Sequence, residues 1–341
     1  MSTLTDRPAA DAAEGAGEVE LTYRQAIAAA LDDEMGSDPS VLLMGEDVGA
    51  AGGVFKTNEG LIEKYGPERV INTPISENGF VGVALGMAVS GLRPVVEIMF
   101  SDFLPSAGDA IVNELPKFRF MSGGQASVPV TVRSIGGGTG RFGTQHSATG
   151  ESWYIGLPGL RVVTAGSPAA AYELLRAAIR HDNPVLFFEH KGLYGRKGPV
   201  RRGAVAPFGR AEVVRSGSDV TIAATLLMVE RSLAAAAALA EEGVEAEVID
   251  LRWLSPLDLA TVRRSVERTG RLVIAEEQVH AGGWGATLVS RLIGEGVSFA
   301  APPRAVSLPD DVLIPYSPAL EDAIIPSAER IAEAARAAAG G

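Results

Sequence analysis

Two glutamates stand at the ends of apolar runs, where a carboxylate can do more than solvate a surface. Glu46 follows VLLMG (41–45), and Glu77 lies in Thr73-Pro74-Ile75-Ser76-Glu77-Asn78-Gly79-Phe80, ahead of the apolar run GFVGVALGMAVSG. An acid at a helix start is ordinarily a favourable dipole contact. Beside low-dielectric surroundings, however, a carboxylate must be paired or protonated, which is the condition for proton handling. His146 stands alone in a Gly-flanked loop. Its default reading is a surface histidine; its chemical reading is a group that titrates near neutral pH. Phe103, in Met99-Phe100-Ser101-Asp102-Phe103, is by default core.

Other local patterns narrow the chemistry. Residues 138–143 read Gly-Thr-Gly-Arg-Phe-Gly and match G-x-G-x-x-G after a predicted strand. A dinucleotide site also needs a helix next and an acid about 20 residues on. Thr144-Gln145-His146-Ser147 is no obvious helix start, and 158–163 (PGLRVV) holds no acid, so a flexible or ligand-facing loop is the better reading. There is no G-x-x-x-x-G-K-[ST] and no H-E-x-x-H, and the four histidines, at 146, 181, 190 and 280, are too scattered for a local zinc motif.

The elements that must position these residues alternate. Thr22 and Gln25 form a capping box ahead of a helix with Ile27, Leu31 and Met35 on one face. Strands are predicted at 41–44, 95–99, 128–133 and 185–189, and helices at 109–118 and 167–180. The run 78–92 is uncharged but shorter than the ~20 residues a membrane span needs, and reads as a buried helix. Strands alternating with helices argue for a mostly parallel sheet covered on both faces, with ligands beyond the carboxyl ends of its strands. Glu46, Glu77 and the Gly-rich stretch after Arg133 all sit at such ends. Residues 191–210, rich in Gly, Pro and Arg, read as an interdomain linker. A second alternating series follows, with strands at 219–224, 244–251 and 271–276, helices at 229–242 and 256–269, and a last helix capped by Ser327.

Composition agrees. At 341 residues two domains are expected. The charge of −12 argues against nucleic acid, whose phosphates would repel the chain. With no cysteine, disulfides, thiolate nucleophiles and Cys-type zinc sites are excluded. Residues 1–20 carry five acids against Arg7 and no apolar stretch, so they read as a disordered tail rather than a signal or transit peptide. The expectation is a cytoplasmic protein with no membrane contact.

From about residue 21 to 337 the chain resembles the beta subunit of the decarboxylating component of 2-oxo acid dehydrogenase complexes, pyruvate dehydrogenase type. The matching stretches are VLLMGEDVG (41–49), GGVF (52–55), INTPISENGF (71–80), GLRPVVEIMFSDF (91–103), RFMSGG (119–124), QHS (145–147), PGLRVV (158–163), NPVLFFE (183–189) and GGWGA (282–286). Their order and spacing carry the likeness. It implies two α/β domains: a pyrimidine-binding domain (21–190), whose mostly parallel sheet is flanked by helices, and a transketolase C-terminal-like domain (211–341). It implies thiamine diphosphate as cofactor. In that family the beta chain holds the aminopyrimidine ring, and an alpha subunit holds the diphosphate through Mg2+ with a Gly-Asp-Gly motif and a following Asn-Asn. This sequence contains neither. The resemblance therefore implies a heterotetramer of two alpha and two beta chains, with a lipoyl-bearing dihydrolipoyl acyltransferase as further partner.

Carried over residue by residue, Glu77 matches the glutamate that activates the cofactor through its pyrimidine nitrogen. Phe103 matches the aromatic that stacks on that ring, with Met99 beside it, and Glu46 matches a second acid near the cofactor. His146 matches the histidine that moves protons as the acyl group passes to a lipoyl sulfur. A potassium site is implied at Val130, Ala178, Ile179, His181 and Asn183, with His181 standing where the family usually has Asp. Pyruvate is the first choice of substrate. Acetoin dehydrogenase and branched-chain 2-oxo acid dehydrogenase are the close alternatives, and a nicotinamide-binding dehydrogenase or a non-catalytic assembly subunit stay open as other classes.

Overall fold

A computed structural model describes residues 17–340. The first domain holds β1 (Glu18–Thr22), β2 (Val41–Gly45), β3 (Val70–Asn72), β4 (Arg93–Ile98), β5 (Thr131–Gly136), β6 (Arg161–Thr164), β7 (Val185–His190) and β8 (Lys197–Arg201). The second holds β9 (Glu212–Arg215), β10 (Val220–Ala224), β11 (Ala246–Asp250), β12 (Trp253–Ser255), β13 (Leu272–Val279) and β14 (Arg304–Leu308).

Apolar runs with no polar alternation become strands covered on both faces. In β2, Val41 and Leu43 enter one buried cluster, with the helices Tyr23–Ser37 and Pro168–Arg180, while Leu42 and Met44 enter the other, with the helix Glu77–Val89. Successive strand side chains point to opposite faces, so one short run feeds two cores. The sheet has the order β12-β6-β7-β5-β4-β2-β3, parallel except for β12. A five-stranded sheet, β14-β13-β10-β11-β9, builds the second domain, antiparallel only at β9. Because β12 belongs to the second half of the chain yet extends the first sheet, the two domains are stitched along an edge.

The predicted capping box is present: Thr22 accepts from the Gln25 N–H and Gln25 accepts from the Thr22 N–H. Several expectations need correction. Of the expected disordered tail, 1–16 lie outside the described residues, but Glu18, Val19 and Glu20 belong to β1. That strand pairs antiparallel with β8, so the stretch read as a linker, 191–210, contains a strand, and the polar look of both segments reflects a surface ribbon. Residues 109–118 are not one α-helix. Asp109–Glu114 is π-helical and Leu115–Met121 α-helical, with Pro116, which has no N–H to donate, at the junction.

The helix Glu77–Val89 is not buried all round. Phe80, Val81, Ala84, Leu85 and Ala88 face the core, whereas Gly82, Val83, Gly86 and Val89 face outward. Val83 is 52% exposed. Among the described residues, no helix is long and apolar enough to cross a membrane.

Candidate functional site

Parallel strands in register bring their carboxyl ends to one rim. Gly45 of β2 lies beside Asn72 of β3 and Glu97 of β4, and Ile98 beside Ser134 of β5. The residues that follow these ends are Glu46 after β2, Glu77 after β3, Met99 to Phe103 after β4, and the loop to His146 after β5. The rim thus gathers all the expected cofactor and proton-handling residues.

Glu77 is the first residue of its helix and is half-buried. Glu46 is half-buried too, and its Oε1 is buried with no hydrogen-bond partner among the described residues. Burial first, then the charges of Glu77 and Asp47, hold the Glu46 carboxyl above its ordinary range. The two glutamates therefore feel each other, as a shared site requires.

Phe103, the expected core residue, is only partly buried and stands edge-on to the His146 ring at 5.4 Å. Phe100 meets the same imidazole at 4.6 Å, also edge-on. The half-buried His146 is thus bracketed by two phenylalanines rather than waving in solvent. Phe100 has φ +71, a conformation that costs a non-glycine residue about 1–3 kcal/mol. It reverses the chain between β4 and the 3-10 turn Ser101–Ala107. Phe55 and Phe142 pack on Phe100 at 5.8 and 5.9 Å. Met99 is half-buried at the end of β4.

Three further groups complete the rim. Asp102 accepts from the Ala148 N–H at 3.2 Å, and burial holds its carboxyl above the ordinary range. Lys191 donates to the His146 carbonyl at 2.5 Å, and burial pushes its ammonium down to about 8. A cavity of about 290 Å³ opens beside it, lined among others by Arg24, Phe55, Lys56, Phe142 and Tyr194. Beneath the rim, Arg133 is fully buried between Glu189 (2.7 Å) and Glu97 (3.0 Å), and Asn58 donates to Glu97 at 2.7 Å. This ion network pins the 52–58 loop to the sheet. Phe100 and Lys191 were missed in the sequence. Phe100 was in view beside Phe103, but nothing local marked Lys191 inside a basic, Gly-rich stretch.

The residues expected to bind potassium lie at the opposite edge, before β5 and β7. Arg93 donates to the carbonyls of Ile179 (3.1 Å) and His181 (3.3 Å). The carbonyl of Val130 accepts from the Val185 N–H, that of Ala178 from the His181 N–H, and Arg119 takes the Asn183 side chain. Each of these carbonyls keeps a second lone pair beside its hydrogen bond. Among the described residues, no group of three His, Asp or Glu side chains could hold a metal ion.

The arrangement suits a polar nitrogen heterocycle: an acid with an unpartnered oxygen, a second acid at a helix head, flanking aromatic rings and a histidine. Comparison with known proteins agrees. Residues 19–197 match the model of the transketolase pyrimidine binding domain, and 209–331 that of the transketolase C-terminal domain. Pyruvate dehydrogenase E1 component subunit beta-2, mitochondrial, of Oryza sativa subsp. japonica is 44% identical over 97% of this chain and 90% of its own. Acetoin:2,6-dichlorophenolindophenol oxidoreductase subunit beta of Cupriavidus necator is 45% identical over 93% of this chain and 96% of its own. A solved split-gene transketolase, described as an inactive beta4 tetramer, superposes with a TM-score of 0.78 at 25% identity, covering 94% of this chain and 98% of its own. The chain belongs to the transketolase-like family of pyruvate dehydrogenase-type E1 beta subunits.

Proposed function

We propose that this chain is the beta subunit of a thiamine-diphosphate-dependent pyruvate dehydrogenase, active only with an alpha subunit. The observation that carries the reading is the rim itself: Glu46 Oε1 buried without a partner, beside Glu77 and the Phe100–Phe103–His146 cluster. Thiamine diphosphate, when bound, supplies the electron sink for decarboxylation. Glu77 and Glu46 would hold its pyrimidine ring, with Glu77 keeping a proton at the ring nitrogen, and Phe103 and Met99 would flank the ring. The phenylalanines exclude water from the reacting face. His146 exchanges a proton as the acyl group passes to the lipoyl sulfur.

The diphosphate and Mg2+ fall to the alpha subunit, because neither Gly-Asp-Gly nor Asn-Asn occurs here. The outward face of the helix Glu77–Val89, with Gly82 and Gly86 open and Val83 and Val89 exposed, is the surface we assign to that subunit. Two alpha and two beta chains, a lipoyl-bearing acyltransferase and a cytoplasmic setting complete the reading, the last resting on the lack of cysteine. Potassium at Val130, Ala178, Ile179, His181 and Asn183 belongs to the same reading, since a carbonyl that accepts one hydrogen bond keeps a second lone pair for a cation.

Acetoin cleavage is the second reading, favoured by the 45% identical Cupriavidus necator relative. The experiment is co-expression with the alpha subunit and assay of pyruvate, acetoin and branched-chain 2-oxo acids side by side. Glu77→Gln should lower turnover of the preferred substrate by about 10²-fold or more. Turnover within a few-fold of the parent would remove Glu77 from the chemistry.

A further inference from the structure

The glycine-rich segment 137–143 takes no part in the steps above, and its contacts lie largely with the second domain and with the turn after β7. Gly137 has φ +88, and a Cβ there would sit 1.9 Å from Nε2 of the buried His190. Gly143 has φ +74, and a Cβ there would meet the Tyr316 ring at 2.3 Å. Glycine alone lets the backbone lie this close at these angles.

Between these glycines the Gly138 N–H donates to Oε1 of Glu277 at 2.5 Å, and the Arg141 guanidinium pairs with Glu321 and Asp322. The Thr144 hydroxyl donates to the Ile314 carbonyl at 3.1 Å. Past His146, the Thr149 hydroxyl donates to the Glu277 carbonyl at 2.9 Å. The second domain therefore grips the loop on both sides of its histidine.

Two buried charges tie the grip together. Nδ1 of His190 accepts from the Gly192 N–H at 3.0 Å, so the ring proton sits on Nε2 and is donated to Oε2 of Glu277 at 3.0 Å. Glu277 thus joins the turn after β7 to the Gly138 backbone. Lys191 donates to the carbonyls of Gly137 and His146, closing the loop from below. Its ammonium lies 5.2 Å from the Phe142 ring centroid and 5.8 Å from that of Phe100.

We propose that Lys191 and Glu277 are positioning residues that hold the 137–149 loop, and with it His146, against Phe100 and Phe103, which makes the second domain a working part of the transfer step. The inference rests on the role assigned to His146 above. A proton-transfer group must be held within about half an ångström of its productive place, and this loop has only a three-residue 3-10 turn of its own, Thr144–His146.

The test is hydrogen–deuterium exchange and steady-state kinetics on the full chain assembled with its alpha subunit. In Lys191→Met and in Glu277→Gln, exchange across 137–149 should speed up by about tenfold or more while β4 and β7 stay protected. Transfer to a lipoyl acceptor should fall about tenfold or more, with KM for the 2-oxo acid within about threefold of the parent. Lys191→Arg should recover much of both. Arg141→Gln, which takes a partly exposed guanidinium away from the buried Glu321 and from Asp322, should loosen the same loop by about threefold. The idea is overturned if 137–149 exchanges at the parental rate in these variants, if protection is lost evenly across the domain, or if the loop loosens and transfer does not slow. The exchange arm is independent of the reaction, and Glu77→Gln tests the functional reading separately, so the two failures are distinguishable.

Discussion

Glu151 offers a quantitative test of how the histidine loop meets the second domain. It is fully buried, and its Oε2 accepts from Gln278 of β13 at 2.9 Å. Burial first, and then the facing charges of Glu277 and Glu276, push its carboxyl up to about 8 from an ordinary 4.5, against the opposing hydrogen bonds of its own N–H and Thr149. The folded state therefore binds a proton more tightly than the unfolded chain, and stability falls as pH rises from about 4.5 through about 8. At about 1.4 kcal/mol per pH unit the full penalty approaches 5 kcal/mol. Glu151→Gln removes the charge and keeps an oxygen for Gln278. Thermal unfolding of parent and variant at pH 5.5 and pH 9 should show the variant gaining on the parent by about 3 kcal/mol between the two conditions, the rest of the penalty being already present at pH 5.5. At about 2 °C per kcal/mol this is about 6 °C. Asp250, pushed up to about 7 by burial, follows the same sign but is common to both proteins and cancels. A gap between parent and variant that does not change between pH 5.5 and 9 would refute the reasoning, because Glu151 would then carry no proton to lose in that window.

Other perturbations have definite outcomes. Arg133→Met leaves Glu97 and Glu189 buried without their cation, and should cost about 3–5 kcal/mol, read as a fall of about 6–10 °C in Tm. A Cβ at the outward-facing Gly86 meets no atom within 4 Å outside its own turn of helix, so with Gly86→Leu the isolated beta chain should be unchanged or more stable by up to about 1 kcal/mol. Co-purification with the alpha subunit should nonetheless be lost, since the added side chain occupies the face assigned to it. Thr22→Ala breaks the capping box of the helix Tyr23–Ser37 and should lower stability by about 1 kcal/mol in urea unfolding.

The sheet was legible because its signals are local. Short apolar runs such as 41–45 and 185–189 leave no choice but burial on both faces, and helices capped by Thr22, Ser167 and Ser327 begin where those residue types put them. The helix Glu77–Val89 misled for a physical reason. An all-apolar run says that water is unfavourable, not which surface covers it, and half of this helix faces outward from the chain. Glu46, Glu77, Phe103 and His146 had bland readings that spacing alone left standing; the family resemblance lifted them. Lys191 and Glu277 stayed hidden because their contacts span 45 and 139 residues of chain, a separation no window of sequence reports.

A half-buried carboxylate whose proton affinity is raised by burial and by the neighbouring Glu77, with an oxygen that nothing among the described residues satisfies, is a poor choice for stability alone. The same rim spends backbone strain at Phe100 to turn a ring toward His146. Just below it, by contrast, the buried charges are paired, with Arg133 between Glu97 and Glu189 and Asn58 hydrogen-bonded to both Arg133 and Glu97, although Oε1 of Glu97 has no partner among the described residues. The chain can therefore pair buried charge where only folding is at stake. It leaves an acid open where a nitrogen-bearing ring would supply the missing donor, and leaves a small-residue helix face bare a few residues away. On the function proposed above, the frustration at the rim and the bare helix face have one cause: a site whose other wall belongs to another polypeptide.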